Sequence, residues 1–301
     1  MNVTRKKMIA AGISVASNAT LVGMKLFVGL LMGSVSVISE AIHSGIDLLA
    51  SVIALFAVRA SGKPADPDHP FGHGKAEDLS GTIEALLILV AAVWIIWEAL
   101  KKIAHPAHMG DMGWGVAVML VSSIANLLVS RMLFRVGEET DSIALRADGW
   151  HLMTDVYTSA GVMGALAIVW VGEKIFPAVY LDWIDPLAAL TVAGLIIRAA
   201  VRLTMASGHD LMDGSLPPEE AEWITYYIKS ARGVEGYHHL RTRKAGSARF
   251  VEFHMFVNPR MTVEGSHRMT KRMENAIQGK LPNTTVTIHV EPHHDRRFRA
   301  R

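Results

Sequence analysis

Long apolar stretches separated by short polar connections fill the first two thirds of the chain. Six of them reach the ~20 residues that a helix needs to cross a hydrocarbon core ~30 Å thick: about 8–33, 36–60, 78–101, 113–135, 143–171 and 181–203. After residue 205 no stretch does, and the grammar becomes that of a small soluble domain. A helix is expected over 217–231, with Pro217 and Pro218 at its start and Glu219, Glu220 and Glu222 in its first turns, where carboxylates favour the helix dipole. Strands are expected over about 234–244 and 250–257, joined by a turn at Gly246, then a helix over about 263–280 and a strand over 285–291. That αββαβ order predicts a small α+β domain of metallochaperone or ferredoxin-like type, with its helices on one face of the sheet. The predicted organisation is an all-α, six-helix transmembrane domain over 1–207, a cytosolic domain over 208–292, and a basic, disordered tail over 293–301.

Charge sets the orientation, because Lys and Arg near span ends accumulate on the cytoplasmic side. With the N-terminus inside, Arg5, Lys6, Lys7, Arg59, Lys63, Lys75, Arg131, Arg135, Arg146, Arg198 and Arg202 fall inside, against Lys101, Lys102 and Lys174 outside. Both termini are therefore expected in the cytoplasm. The first apolar run follows Arg5, Lys6 and Lys7 without a small-residue cleavage pattern, and reads as a retained helix rather than a signal peptide. Half the residues are hydrophobic and the mean hydropathy is +0.28, which suits a membrane protein. A net charge of +2 supplies no basic field for nucleic acid. With no cysteine, disulfides and thiolate chemistry are excluded, and 14 histidines remain as borderline metal ligands.

Ionisable groups inside membrane spans are costly, so each needs a reason. Glu40, His43 and Asp47 follow the spacing i, i+3, i+7 in the second span, which keeps them within about 60° of one helix face. Asp148, His151 and Asp155 repeat that spacing in the fifth. Antiparallel packing of the two helices sets His43 near Asp155 and Asp47 near His151. Two imidazoles and two carboxylates suit a tetrahedral Zn²⁺, whereas Mg²⁺ and Ca²⁺ ask for more oxygens. The alternative is interhelical hydrogen bonding alone. Glu40 and Asp148, nearer the span ends, are read as supporting or water-facing groups along the pathway.

The loop between the second and third spans holds Asp66, His69 and His73, three ligands within eight residues, with Asp68 as a substitute; the alternative is a solvated loop. In the tail domain His238 and His254 lie eight residues to either side of Gly246, so a hairpin sets them opposite each other. His289 and Glu291 share one face of the last strand, and His267 on the second helix joins the set; one or two ions, or merely a polar face, are the readings. Alternation points His239 to the other face. His209, His293 and His294 are read as solvated, Lys25 and Asp185 as structural, and Glu84 and Asn126 as lining a wet pathway or hydrogen-bonding between helices.

The segments Ser-Glu-Ala-Ile-His-Ser-Gly-Ile-Asp (39–47), Phe-Gly-His-Gly-Lys-Ala-Glu (71–77) and Ala-Asp-Gly-Trp-His-Leu-Met-Thr-Asp (147–155), with the six-span-plus-αββαβ plan, resemble the cation diffusion facilitators over nearly the whole chain. The resemblance implies a homodimeric exporter, in a bacterial cytoplasmic (inner) membrane, that exchanges a cytosolic divalent transition metal for protons. It maps a transport site to His43, Asp47, His151 and Asp155, and a loop site to Asp66, His69 and His73. It maps tail sites to His238, His254, His267, His289 and Glu291, the last often Asp in the family. A charged interlock that holds the dimer looks like Lys75 with Asp213. The His-Asp plus His-Asp set looks like that of zinc-type members, where manganese-type members carry Asp for both histidines. Zn²⁺ is thus expected both as substrate and as regulatory ligand, with Fe²⁺, Cd²⁺, Co²⁺ and Ni²⁺ as other candidates. A membrane metal sensor that does not transport is the competing class; an intramembrane metallohydrolase would want a His-Glu-x-x-His helix that the sequence lacks.

Overall fold

The computed structural model describes residues 3–32, 35–104, 113–175 and 183–293. Six long helices come first: α1 (Val3–Met32), α2 (Val35–Ser61), α3 (Lys75–Ala104), α4 (Gly113–Glu139), α5 (Ile143–Ile175) and α6 (Ile184–Leu211). Then follow α7 (Pro218–Ser230), β1 (Gly236–Ala245), β2 (Ala248–Val257), α8 (Val263–Lys280) and β3 (Thr284–Pro292), in the αββαβ order. The chain divides into two compact units, Met1–Gly208 and His209–Arg301. Of the tail expected to be disordered, 293–301, only His293 is described, its N–H donating to the Val257 carbonyl at 3.1 Å; residues 294–301 and the side chain of Asp185, expected to cap the sixth helix, lie outside the described residues.

Among the described residues, α1, α2, α3, α4 and α6 are long and apolar enough to cross a membrane. The sixth long helix, α5, runs 33 residues, or about 50 Å, and carries Arg146, Asp148, His151 and Asp155 in its first turns. It packs against α2, α3 and α4. Several helices outrun their apolar runs: α3 begins at Lys75 instead of 78, because backbone hydrogen bonds continue through Lys75–Asp78 whatever the side chains. The packing is inverted relative to a water-soluble bundle. Alanines fill the contacts (Ala10, Ala11, Ala54, Ala85, Ala92, Ala144, Ala147), while Phe27, Leu30, Val90, Trp94 and Trp97 face outward. At Gly81 a Cβ would lie 2.6 Å from Ser207 Oγ, so glycine leaves room for that hydroxyl where α3 approaches α6.

One buried ionic cluster joins four segments of the bundle. Lys7 Nζ of α1 donates to Glu77 Oε1 of α3 at 2.8 Å, with both side chains almost wholly enclosed. Ser61 of α2 donates to the same oxygen at 2.7 Å, and Ser142, just before α5, donates to Oε2.

In the second unit β1 pairs antiparallel with β2, and β2 pairs parallel with β3 through the α8 crossover, giving the order β1-β2-β3. Val251, Phe253, Met255 and Val257 of β2 face a core completed by Ile224 and Ile228 of α7 and by Met269, Met273 and Ile277 of α8. The four-residue spacing on α8 and the two-residue spacing on β2 are the apolar stripes of a helix on a half-buried strand. Alternation therefore leaves His254 on the face away from this core. The hairpin closes at Ala245↔Ala248, with Gly246 at φ +56°, a left-handed conformation that glycine adopts freely.

Candidate metal-transport site

The two i, i+3, i+7 sets meet crosswise between α2 and α5. His151 Nε2 lies 3.1 Å from Asp47 Oδ1, and His43 Nε2 lies 3.9 Å from Asp155 Oδ1. Ligand atoms of His43, Asp47 and Asp155 all fall within 4.8 Å of one another. A tetrahedral ion with bonds of ~2.0 Å holds its ligands about 3.3 Å apart, a separation that the two measured pairs, 3.1 and 3.9 Å, bracket. Two carboxylates also match a divalent charge. Asp47 and His151 are buried, Asp155 is half-buried, and His43 is exposed, so the donor set is open on the His43 side. A cavity of about 180 Å³ adjoins it, lined by His43, Asp47, Asp155 and the polar side chains of Ser122, Ser123 and Asn126.

Neighbouring groups hold this set in place. Asn126 of α4 donates to Asp155 Oδ2 at 3.2 Å, an interhelical bond within the cavity wall. Asp148 is buried and accepts from Ser51 at 2.9 Å; Ser51 in turn accepts from Asn18, tying α1, α2 and α5 together. Glu84 is buried and accepts from Ser80 at 3.1 Å. The side chain of Glu40 lies outside the described residues. Lys25, read from sequence as structural, lines the same cavity and donates to Ser44 at 2.8 Å. Its ammonium sits in the cavity of the candidate site, and only its unusual depth in the first span signalled this.

In the loop after α2, Asp66 Oδ1 accepts from the His69 backbone at 2.7 Å and lies 3.2 Å from His69 Nδ1, while Asp66 Oδ2 lies 3.3 Å from His73 Nε2. The backbone bond from His69, together with the two nearby imidazoles, holds the Asp66 carboxyl below its ordinary range against the opposing effect of desolvation. The three ligand atoms cluster within reach of one ion; Asp68 is exposed and outside that cluster.

On the open face of the tail sheet the register sets His238 opposite His254 and His254 beside His289. Glu291 bridges them, with Oε1 2.7 Å from His254 Nδ1 and Oε2 3.3 Å from His238 Nε2. Burial pushes the Glu291 carboxyl up, but its bonds to His254 and His238 outweigh that and leave it below the usual range. His239 departs from expectation. A bulge between His238 and Arg241 and a φ of +51° bring His239 back onto the histidine face, its Nδ1 3.0 Å from His238 Nδ1. Two potential ligand groups result, His238/His239/His254 and His254/His289/Glu291, sharing His254. His267 is exposed on α8 and belongs to neither. His209 bonds the Ser215 carbonyl and His293 pairs with Glu235 at 3.0 Å, so neither is merely solvated, as the sequence suggested; His294 lies outside the described residues. Lys75 opens α3, and Asp213, at φ +57°, accepts from Arg243 at 3.0 Å.

Long apolar helices carrying a cluster of imidazole and carboxylate groups between α2 and α5 define an integral membrane protein and suit a carrier of cations. The cation efflux transmembrane domain family matches residues 11–212, and the cation efflux cytoplasmic domain family matches residues 216–293. The chain is 36% identical over 287 residues to the uncharacterized transporter sll1263 of Synechocystis sp., covering 95% of this chain and 90% of that one. It is 33% identical over 284 residues to the cation-efflux pump FieF of Yersinia pestis, covering 94% and 92%. Among solved structures, the Zn form of CzrB is 39% identical over 29% of this chain and 97% of that one, with a TM-score of 0.26. The metal-bound C-terminal domain of CzcD from Thermotoga maritima is 26% identical over 26% and 91%, with a TM-score of 0.25. The chain belongs to the cation diffusion facilitator family and is a cation efflux transporter.

Proposed function

We propose that this transporter moves a divalent transition metal, Zn²⁺ foremost, out of the cytosol in exchange for protons, as a homodimer in a bacterial cytoplasmic membrane with both termini inside. The observation that carries the reading is the crosswise meeting of His43, Asp47, His151 and Asp155 between α2 and α5. Imidazole with carboxylate suits Zn²⁺ better than the harder Mn²⁺. Coupling follows from the donors, because metal and proton occupy the same lone pairs and each Zn²⁺ must displace the protons it finds there. Sites that load metal facing the cytosol and return protonated convert a proton gradient into metal export. A sensor without transport would need the tail but not this intramembrane set.

The test is metal flux into reconstituted vesicles under an imposed pH gradient, comparing Zn²⁺, Cd²⁺, Fe²⁺, Mn²⁺ and Co²⁺. Zinc movement that collapses with the gradient is expected, along with Zn²⁺ affinity that falls as the pH is lowered from about 8 to about 6. Flux indifferent to the gradient, or affinity unchanged across that range, would rule out the exchange.

Asp66, His69 and His73 serve in this proposal as a loop site near the entrance. The tail histidines with Glu291 serve as a regulatory zinc site, with His267 available to a second protomer and Lys75 and Asp213 holding the dimer. Binding that favours one protomer arrangement over another would let cytosolic zinc set the transport rate. Because His254 belongs to both tail groups, His254→Ala is expected to weaken two Zn²⁺ positions per chain, and His239→Ala only one. Calorimetric titration of the full chain in detergent reads the difference as stoichiometry; equal losses in the two variants would argue against two positions.

A further inference from the structure

A second groove, of about 400 Å³, runs between α5 and α6 and shares no lining residue with the cavity at His43. The two helices lie antiparallel: Ile143 packs in a cluster with Leu203, and Gly161 faces Val192 at the other end. The charged side chains of the groove all lie toward one end, beside apolar Ile143, Leu203 and Ala206. At the end where α5 begins it holds Arg146 with Arg198 and Arg202 of α6. Further along come Trp150, then Leu195 and Tyr157, roughly 16 Å from Arg146 along the helix axis.

Arg198, Arg202, Leu195 and Tyr157 are exposed on the outer surface of the bundle. No carboxylate among the described residues pairs with any of the three arginines, and Arg146 Nε is buried without a hydrogen-bond partner. Three guanidinium groups at one end of an apolar, aromatic trough complement a molecule with an anionic head and a hydrocarbon chain. We propose that this groove binds one anionic glycerophospholipid, its phosphate held by Arg146, Arg198 and Arg202 and an acyl chain lying along Trp150, Leu195 and Tyr157. Guanidinium groups bind phosphate oxygens in pairs, and Tyr and Trp suit the boundary between head group and chain. A second copy of the chain is the poorer occupant, because a two-fold contact through this groove would bring six like charges together.

Native mass spectrometry of the full chain, released from detergent with phosphatidylglycerol or phosphatidylcholine of matched acyl chains, tests the proposal. One phosphatidylglycerol per chain, retained roughly tenfold or more above phosphatidylcholine, is expected. The preference should vanish in Arg146→Gln/Arg198→Gln/Arg202→Gln and survive in Arg59→Gln/Arg131→Gln/Arg135→Gln, which removes the same charge elsewhere. Leu195→Trp, which fills the exposed apolar end and leaves the arginines intact, should also displace the lipid, so the proposal does not depend on the triple variant folding. Equal retention in native and groove variants would overturn it. So would displacement of the lipid by inorganic phosphate at millimolar concentration, which would make free phosphate the ligand. Loss of dimer with lipid retention unchanged would assign the groove to a subunit contact instead.

Discussion

Replacing Asp155 with Asn is expected to stop metal movement while leaving the fold intact. The amide keeps the shape of the carboxylate and can still bond Asn126, which now donates to Asp155 Oδ2 at 3.2 Å. What it removes is one of the two negative charges that would balance a divalent ion at the proposed site, together with a lone-pair oxygen 3.9 Å from His43 Nε2. Losing a partner outside the ligand shell typically costs ~10–100-fold in metal affinity, so losing a ligand should exceed roughly 100-fold. Zinc flux in vesicles should fall to the level of protein-free controls, with the tryptophan fluorescence melt unchanged. Residual flux within about tenfold of native would remove Asp155 from the transport site.

Glu77→Ala is expected to have the largest effect on stability. The side chain is fully enclosed, and its loss leaves Lys7 buried without that carboxylate and takes an acceptor from Ser61 and Ser142. Breaking a buried pair from one side costs about 3–5 kcal/mol, whereas replacing both partners with apolar residues of similar volume is often neutral. The double variant Lys7→Met/Glu77→Leu should therefore melt well above Glu77→Ala. Ser61 already lies 3.0 Å from the Val58 carbonyl and can turn to it. Thermal unfolding in detergent, followed through the seven tryptophans, reads the comparison. A double variant no more stable than Glu77→Ala would mean that Glu77 acts through something other than Lys7.

Much of this architecture is legible in the sequence because the bilayer imposes one strong rule: an apolar run of twenty residues has no alternative to a helix. The crosswise meeting of His43 with Asp155 and of Asp47 with His151 is legible for a related reason, since i, i+3, i+7 fixes a helix face before any tertiary contact is known. The αββαβ order follows from the change of period at each turn. Other features leave no such trace. Glu77 finds Lys7 across 70 residues, and nothing in local periodicity reports a pairing between helix ends. His239 reaches the metal-facing side because a bulge cancels the two-residue alternation on which its placement was read. Lys25 stands alone in its span, so its place in the cavity depends on how α1 packs, which spacing does not encode.

The Lys7–Glu77 cluster also constrains how the molecule is made. Lys7 is synthesised well before its partners: Glu77 follows 70 residues later, and Ser142 a further 65. Until α3 arrives, the ammonium lacks the Glu77 carboxylate that meets it in the folded chain. The first helix therefore has to enter the bilayer with its beginning still at the interface, and it can settle only when a much later part of the chain is delivered. Nascent chains that end before Glu77 should leave Lys7 open to a water-soluble amine reagent, and chains that extend past Ser142 should protect it. The start of α1 is thus fastened by residues delivered much later, and the order of translation becomes part of the assembly mechanism.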